Sequence, residues 1–222
     1  MLDGGGARGG CVHDTFGPNQ TGMERTIKAK EVQAKKTVAL ARWLLGKHLV
    51  RRRLDGTVEA RMIVETEAYD GERDLACHAR VGRTKRTEVM YAAGGRWYVY
   101  LCYGVHEMLN LVVGPEGWPA AVLVRGVEGA SGPGRVTKSL GIGRELNAAD
   151  ATVEASGLWI EDRGVRVPRR AVRVGPRVGV AYAGPVWAGK PWRFIFEPEA
   201  RAAGRARVGR QRVKSNRVTD PV

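Results

Sequence analysis

The chain has 222 residues, 43% hydrophobic and 27% charged, with a formal net charge of +14. That length suits one domain with a sizeable core. No apolar run approaches the roughly 20 residues of a spanning helix and the opening MLDGGGARGGCVHD has no signal-peptide core, so an intracellular protein, cytoplasmic or nucleoid (nuclear in a eukaryote), is expected rather than a membrane or secreted one.

The excess of Lys and Arg favours a polyanionic partner, nucleic acid ahead of a merely basic surface. Three cysteines, Cys11, Cys77 and Cys102, are too few and too scattered for a disulfide framework. Cys77, His78, Cys102 and His106 lack the CxxC pairing that zinc sites favour. Zinc is not expected.

In chain order, residues 1–36 read as a flexible, basic, Gly-rich extension, with Met23 as an alternative start and a weakly helical stretch at 24–36. Residues 37–198 form the expected domain. TVALARWLLGK predicts a helix capped by Thr37, with a stripe of Val38, Ala41, Leu44 and Leu45 and a stop at Gly46. Leu49–Leu54 and Val58–Tyr69 flank Asp55-Gly56, a hairpin turn signal. Residues 70–95 read as a loop with a short helix near 72–79. Its Arg80, Arg83, Lys85 and Arg86 are either solvated or set against phosphates.

A second hairpin pairs 96–104 with 107–114. The nearly all-apolar 120–129 predicts a central strand. GPGRVTKSLGIGREL (132–146) is a glycine-rich turn into a helix, not a P-loop, because Thr137 precedes Lys138-Ser139. Short strands follow in GLWIED, AVRVGPRVGVAY and WRFIF. The tail, 199–222, holds seven basic and no acidic residues between Arg201 and Arg217. It reads equally as an arm on nucleic acid or a solvated end.

The chemistry concentrates in VETEAYDGERDLACHAR. A strand period of two puts Glu65, Glu67 and Tyr69 on one face and Val64, Thr66 and Ala68 on the other. In RWYVYLCYG, Tyr98, Tyr100 and Cys102 share a face opposite Trp97, Val99, Leu101 and Tyr103. Trp97 and Val99 suit a core, whereas Tyr103 precedes Gly104 at a hairpin tip, where an aromatic can wedge between bases. Glu65 and Glu67, with α-carbons roughly 7 Å apart, are within range of a paired-carboxylate glycosidase. The charge fits a base pocket better: aromatics and a His stack on the base, and one carboxylate activates water.

The segments LARWLLGKHLVRR, IVETEAYDGERDLACHA, RTEVMYAAGGRWYVYLCYGVHEMLNLV, AAVLVRGVEG, GPGRVTKSLGI, RVGVAYAG and KPWRF resemble, in family order over about 37–196, the alkyladenine (3-methyladenine, N-methylpurine) DNA glycosylases. The resemblance implies an α+β fold: a single mixed domain with a curved antiparallel sheet, peripheral helices and a protruding β-hairpin, without metal or cofactor. It implies a monofunctional base-excision enzyme acting as a monomer on double-stranded DNA containing damaged purines, with no membrane partner. By motif, Glu67 is the general base, Arg125 and the main-chain carbonyl of Val180 hold the water, and Tyr69, His78 and Tyr100 wall the pocket. Asn110 lies at its floor and disfavours the amine of normal guanine. Tyr103 intercalates. Glu65 is left a supporting ion pair, and Glu107 is expected to point away from phosphates. The alternatives are a noncatalytic nucleic-acid-binding protein on the same scaffold and a carbohydrate glycosidase using Glu65 and Glu67.

Overall fold

The computed structural model describes residues 24–34 and 36–197. The Gly-rich start, the alternative start at Met23 and the basic tail from 199 lie outside the described residues. In chain order come β1 (Arg25–Thr26), α1 (Ala29–Gln33), α2 (Thr37–Trp43), β2 (His48–Arg52) and β3 (Val58–Asp70). β4 (Trp97–Cys102), β5 (His106–Val113), β6 (Ala120–Val127), β7 (Ala130–Ser131) and α3 (Pro133–Leu140) follow. The last are β8 (Leu158–Asp162), β9 (Val172–Gly175), α4 (Gly184–Ala188) and β10 (Arg193–Phe196). Short 3₁₀ turns fill the longer connections. The fold is α+β: an antiparallel sheet of ten strands with a few short helices.

The sheet runs β1-β8-β2-β3-β6-β5-β4, with β10 joining β3 to β9 and β7 beside β6. β3 is its spine. Its first part pairs with β2, from His48 opposite Met62 to Arg52 opposite Val58. Its second part pairs with β6 and β10. Register shifts around Glu65 separate the two halves. Such irregularities bend a strand and re-aim its side chains. The carboxylates sit on that bend. As expected, the nearly all-apolar β6 is central, flanked by β3 and β5.

Period-two alternation then sorts the side chains. Trp97, Val99, Leu109, Leu111, Val113, Val122 and Val124 join the main core, together with α2 and α3 residues such as Leu40, Ala41, Val136 and Leu140. At roughly 25 cal/mol per Å² of apolar surface removed from water, this layer dominates the stabilisation. The other face of β4, β5 and β6 looks into a cavity.

The structure departs from the sequence reading in four places. Residues 24–34 belong to the fold rather than to an extension. Arg25 pairs with Asp162 across β1–β8, and Ile27 and Val32 are buried, because they seal the end of the core. Thr37 does not cap α2; its backbone is already helical, with Lys36 at the cap position. Its hydroxyl instead donates to Asp70 Oδ1 at 2.5 Å. The helix expected near 72–79 is a turn, because the Asp74 carboxylate accepts the N–H groups of Asp70 and Ala76. Short 3₁₀ helices stand at His78–Val81 and Glu88–Tyr91 instead. Finally, AVRVGPRVGVAY forms a strand only as far as Gly175. Pro176 has no N–H to continue the ladder.

Candidate active site

On the sheet face opposite the main core, a cavity of about 600 Å³ opens. β3 supplies Tyr69, β4 Tyr98 and Tyr100, β5 Asn110, and β6 Leu123 and Arg125. His78 and Cys77 come from the loop after β3, and Val178 and Val180 from the segment between β9 and α4. The cavity is thus aromatic on its walls, with a few polar groups at its back.

Glu67 stands behind that back wall, 0% exposed. Three cavity-lining residues reach it. Val178 donates its backbone N–H to Oε1 at 2.9 Å, Tyr69 donates its hydroxyl to Oε2 at 2.8 Å, and Arg125 Nε lies 3.6 Å from Oε1. Each carboxylate oxygen keeps a further lone pair for another donor. Burial pushes the Glu67 carboxyl above the ordinary carboxylate range, although Val178, Arg125, Tyr69 and Arg193 all favour its anion.

Glu65 takes the supporting role read from the sequence. Its Oε1 lies 3.0 Å from Arg125 Nε and 2.5 Å from Arg193 Nε. Two acids and two arginines therefore balance one another, as burial of charge demands. The close approach needs Gly126, because a Cβ there would lie 2.9 Å from Glu65 Cβ. Arg125 Nε makes no well-aligned hydrogen bond despite the short distance to Glu65. It is thus a buried donor held between the two carboxylates by charge rather than by an aligned hydrogen bond.

His78, Tyr98 and Tyr100 form one aromatic cluster. The His78 ring meets Tyr100 edge-on at 4.6 Å, and its Nδ1 lies 3.0 Å from the Tyr98 hydroxyl. Burial, with Arg86 and Arg80 nearby, takes the His78 imidazole down to about 4. It is neutral at physiological pH. Burial also raises the Tyr69 and Tyr100 phenols, so both stay protonated. Neutral electron-rich rings on several sides suit a flat aromatic guest, a cationic one above all. Asn110 is held still, its amide donating to the carbonyls of Tyr98 at 3.2 Å and Met108 at 3.4 Å. The Val180 carbonyl accepts the Ala183 N–H at 3.0 Å, with a lone pair left over.

Beside the cavity the β4–β5 hairpin ends in Tyr103 and Gly104, with φ of 50° and 71°. Asn-Gly is the usual choice for such a turn. A tyrosine there is disfavoured, costing roughly 1–2 kcal/mol, and this one is 93% exposed. Strain and exposure in one large aromatic are reasons to suspect a function. Glu107, just beyond the tip, is drawn to Arg144 at 3.2 Å, away from the turn.

With this geometry in view, the relatives can be set beside it. Residues 31–131 and 128–200 match the model of the methylpurine-DNA glycosylase family. The chain belongs to the methylpurine-DNA glycosylase family. It is 49% identical over 176 residues to a protein of Anaeromyxobacter dehalogenans, covering 75% of this chain and 82% of that one. It is 46% identical over 170 residues to one of Myxococcus xanthus, covering 72% and 85%. It is 39% identical over 194 residues to one of Streptomyces avermitilis, covering 78% and 89%. All three are provisionally named 3-methyladenine DNA glycosylase. The protein is accordingly a DNA glycosylase, a DNA-repair hydrolase of N-glycosyl bonds.

For this glycosylase the motif reading brings Glu67, Tyr69, His78, Tyr100, Asn110, Arg125 and Val180 into one site, with Tyr103 at its rim. It missed Tyr98, although Tyr98 shares the face of Tyr100 and anchors His78. It missed the Val178 N–H, which no side-chain motif signals. It also missed Asp74 and Arg177, a buried pair whose sequence separation hides their contact. Of the four basic residues in the loop, Arg83 is spent on Glu88. Arg80 lies over the Tyr182 ring at 5.6 Å and Arg86 over Tyr100 at 5.0 Å. Among the described residues no helix is long and apolar enough to cross a membrane.

Proposed function

We propose that the enzyme excises alkylated purines, 3-methyladenine and 7-methylguanine first, and with them deaminated or etheno purines, from duplex DNA. The damaged nucleotide is flipped into the aromatic cavity, and Tyr103 fills the gap it leaves in the stack. The observation that carries this reading is the buried Glu67 carboxylate, held by three cavity-lining residues behind a box of uncharged aromatic rings.

A purine methylated at N3 or N7 is a cation and a good leaving group. Tyr69, His78 and Tyr100 favour it by about 0.5–2 kcal/mol per good contact. A protonated His78 would oppose it, and burial keeps that ring neutral. As the C1′–N9 bond lengthens, its electron pair returns to the base and the sugar becomes oxocarbenium-like. The Glu67 anion stabilises that charge. Water held by Glu67, Arg125 and the Val180 carbonyl adds its oxygen to C1′. Its proton passes to Glu67 and on to solvent, leaving a free base and an abasic site. One copy of the chain holds every group in this scheme, so a monomer suffices, and its place of work is inside the cell, in the cytoplasm or on the nucleoid.

The test is single-turnover cleavage of duplexes carrying 3-methyladenine, 7-methylguanine, hypoxanthine or 1,N6-ethenoadenine, with and without a chelator. Abasic sites should form in both conditions. Glu67→Gln should abolish them while leaving binding to lesion DNA intact. Full excision by Glu67→Gln would remove the assigned base.

A further inference from the structure

Two charged residues outside the scheme above have side chains as buried as any among the described residues. Arg177 and Asp74 side chains are both 0% exposed and joined by two contacts, 2.5 Å from Nη1 to Oδ2 and 2.9 Å from Nη2 to Oδ1. The same guanidinium donates to the carbonyls of Ala68 at 2.8 Å and Trp187 at 3.2 Å. It also lies 4.8 Å from the Tyr69 ring centroid and 5.0 Å from that of Trp192. Asp74 in turn accepts the N–H groups of Asp70 and Ala76. One ion pair thus gathers the end of β3, the loop that delivers Cys77 and His78, the segment after β9, and α4. Neither Arg177 nor Asp74 lines the cavity itself, although Tyr69 and Ala76, which they contact, do.

A buried pair of this kind is an inefficient source of stability, since apolar residues of similar size often do as well. What it offers is fixed geometry. Arg177 precedes Val178, whose N–H is one of the donors to Glu67, and its guanidinium backs the ring of Tyr69, another of them. We propose that Arg177 and Asp74 are positioning residues that hold the Val178 N–H and the Tyr69 hydroxyl on Glu67. The inference rests on Glu67 being the base. The groups that face Glu67 are Tyr69 and Glu65 on its own strand, Arg125 of β6, Arg193 of β10, and Arg177 with the Val178 N–H from the segment after β9. Only the last set is held by Asp74.

The experiment compares Arg177→Lys, Asp74→Asn and Val178→Pro with the parent in three measurements. These are the pH dependence of single-turnover excision, affinity for a duplex with a stable abasic-site analogue, and the cooperative thermal melt. Val178→Pro deletes the N–H at an exposed side chain and keeps both side chains of the ion pair, although its ring also fixes φ at 178 and restricts the Arg177 backbone, so a cooperative melt at the parental temperature is required of it. In every variant that melts cooperatively, excision should fall on the order of 10–100-fold. The acid limb of its pH profile should move to higher pH, because Glu67 has lost a donor to its anion, while affinity for the abasic duplex holds. A general loss of structure would lower the rate without moving the limb. Should breaking the ion pair prevent folding, Val178→Pro decides alone. A parental rate and limb in a folded Arg177→Lys, or in Val178→Pro, overturns the proposal. Glu67→Gln run in parallel separates the two readings: if it stays active the base is wrong, and if it is dead while the others match the parent only the positioning role falls.

Discussion

The two faces of β3, β6, β5 and β4 share one backbone and divide the labour of the molecule between them. Toward the main core these strands present Ala68, Val124, Leu109, Leu111 and Trp97, an apolar layer with no acid or base. Toward the cavity, one residue along in each strand, they present Glu67, Arg125, Asn110, Tyr98 and Tyr100. A one-residue slip would exchange the two sets. The apolar face therefore fixes the register on which the reactive face depends. The reactive face spends stability, since it buries charges and phenols that water would solvate better.

Substitutions on the two faces should separate chemistry from stability. The largest effect belongs to Glu67→Gln. Single-turnover excision should drop on the order of 10³-fold or more, while denaturant titration finds stability within about 1 kcal/mol of the parent, since a charge is no longer buried. Next comes the opposite face: Leu111→Ala should cost about 2–5 kcal/mol in the same titration yet keep the parental excision rate at a temperature where it is folded. A Leu111→Ala enzyme that is stable but slow would break the division.

The hairpin tip sits between these extremes. Tyr103→Ser should weaken the extruded state by about 1–3 kcal/mol, the worth of one aromatic–base stack. A fluorescent base analogue opposite the lesion would report it, and undiminished extrusion would deny Tyr103 the role of wedge. The smallest effect is on pH. The excision rate should fall on acidification from a pH above the ordinary glutamate value of 4.5, because the anion of Glu67 is lost early. Stability should respond with two signs. Between pH 6.5 and about 4 the unfolded chain protonates His78 and the folded one does not, so stability falls as pH falls. Above 4.5 the folded chain takes up a proton at Glu67 before the unfolded one, which works the other way. His78→Gln should remove the first component and leave the second, readable as a change of slope in stability against pH.

Much of this division could be read in the sequence, and the reason is periodicity. Alternation in VETEAY and WYVYLC assigns each side chain to a face before any contact is known, and Asp55-Gly56 and Tyr103-Gly104 mark where the strands turn back. What stayed hidden depends on the third dimension. Ile27 and Val32 lie in a basic stretch too polar to announce a core, yet the end of the sheet needs them. Asp74 reads as helix surface until its carboxylate is seen closing a turn onto Arg177, a contact with no local signature. The Val178 N–H belongs to the backbone and has no letter of its own.

Gly126 extends the same point into heredity. It carries no charge, touches no guest and donates to no carboxylate, yet a single methyl group there would fall 2.9 Å from the Glu65 Cβ and 3.3 Å from its Oε2. Displacing Glu65 would unseat Arg125 from its place beside Glu67. A drift to alanine, among the mildest changes a codon can make, would therefore silence repair while every reacting group remained in the gene.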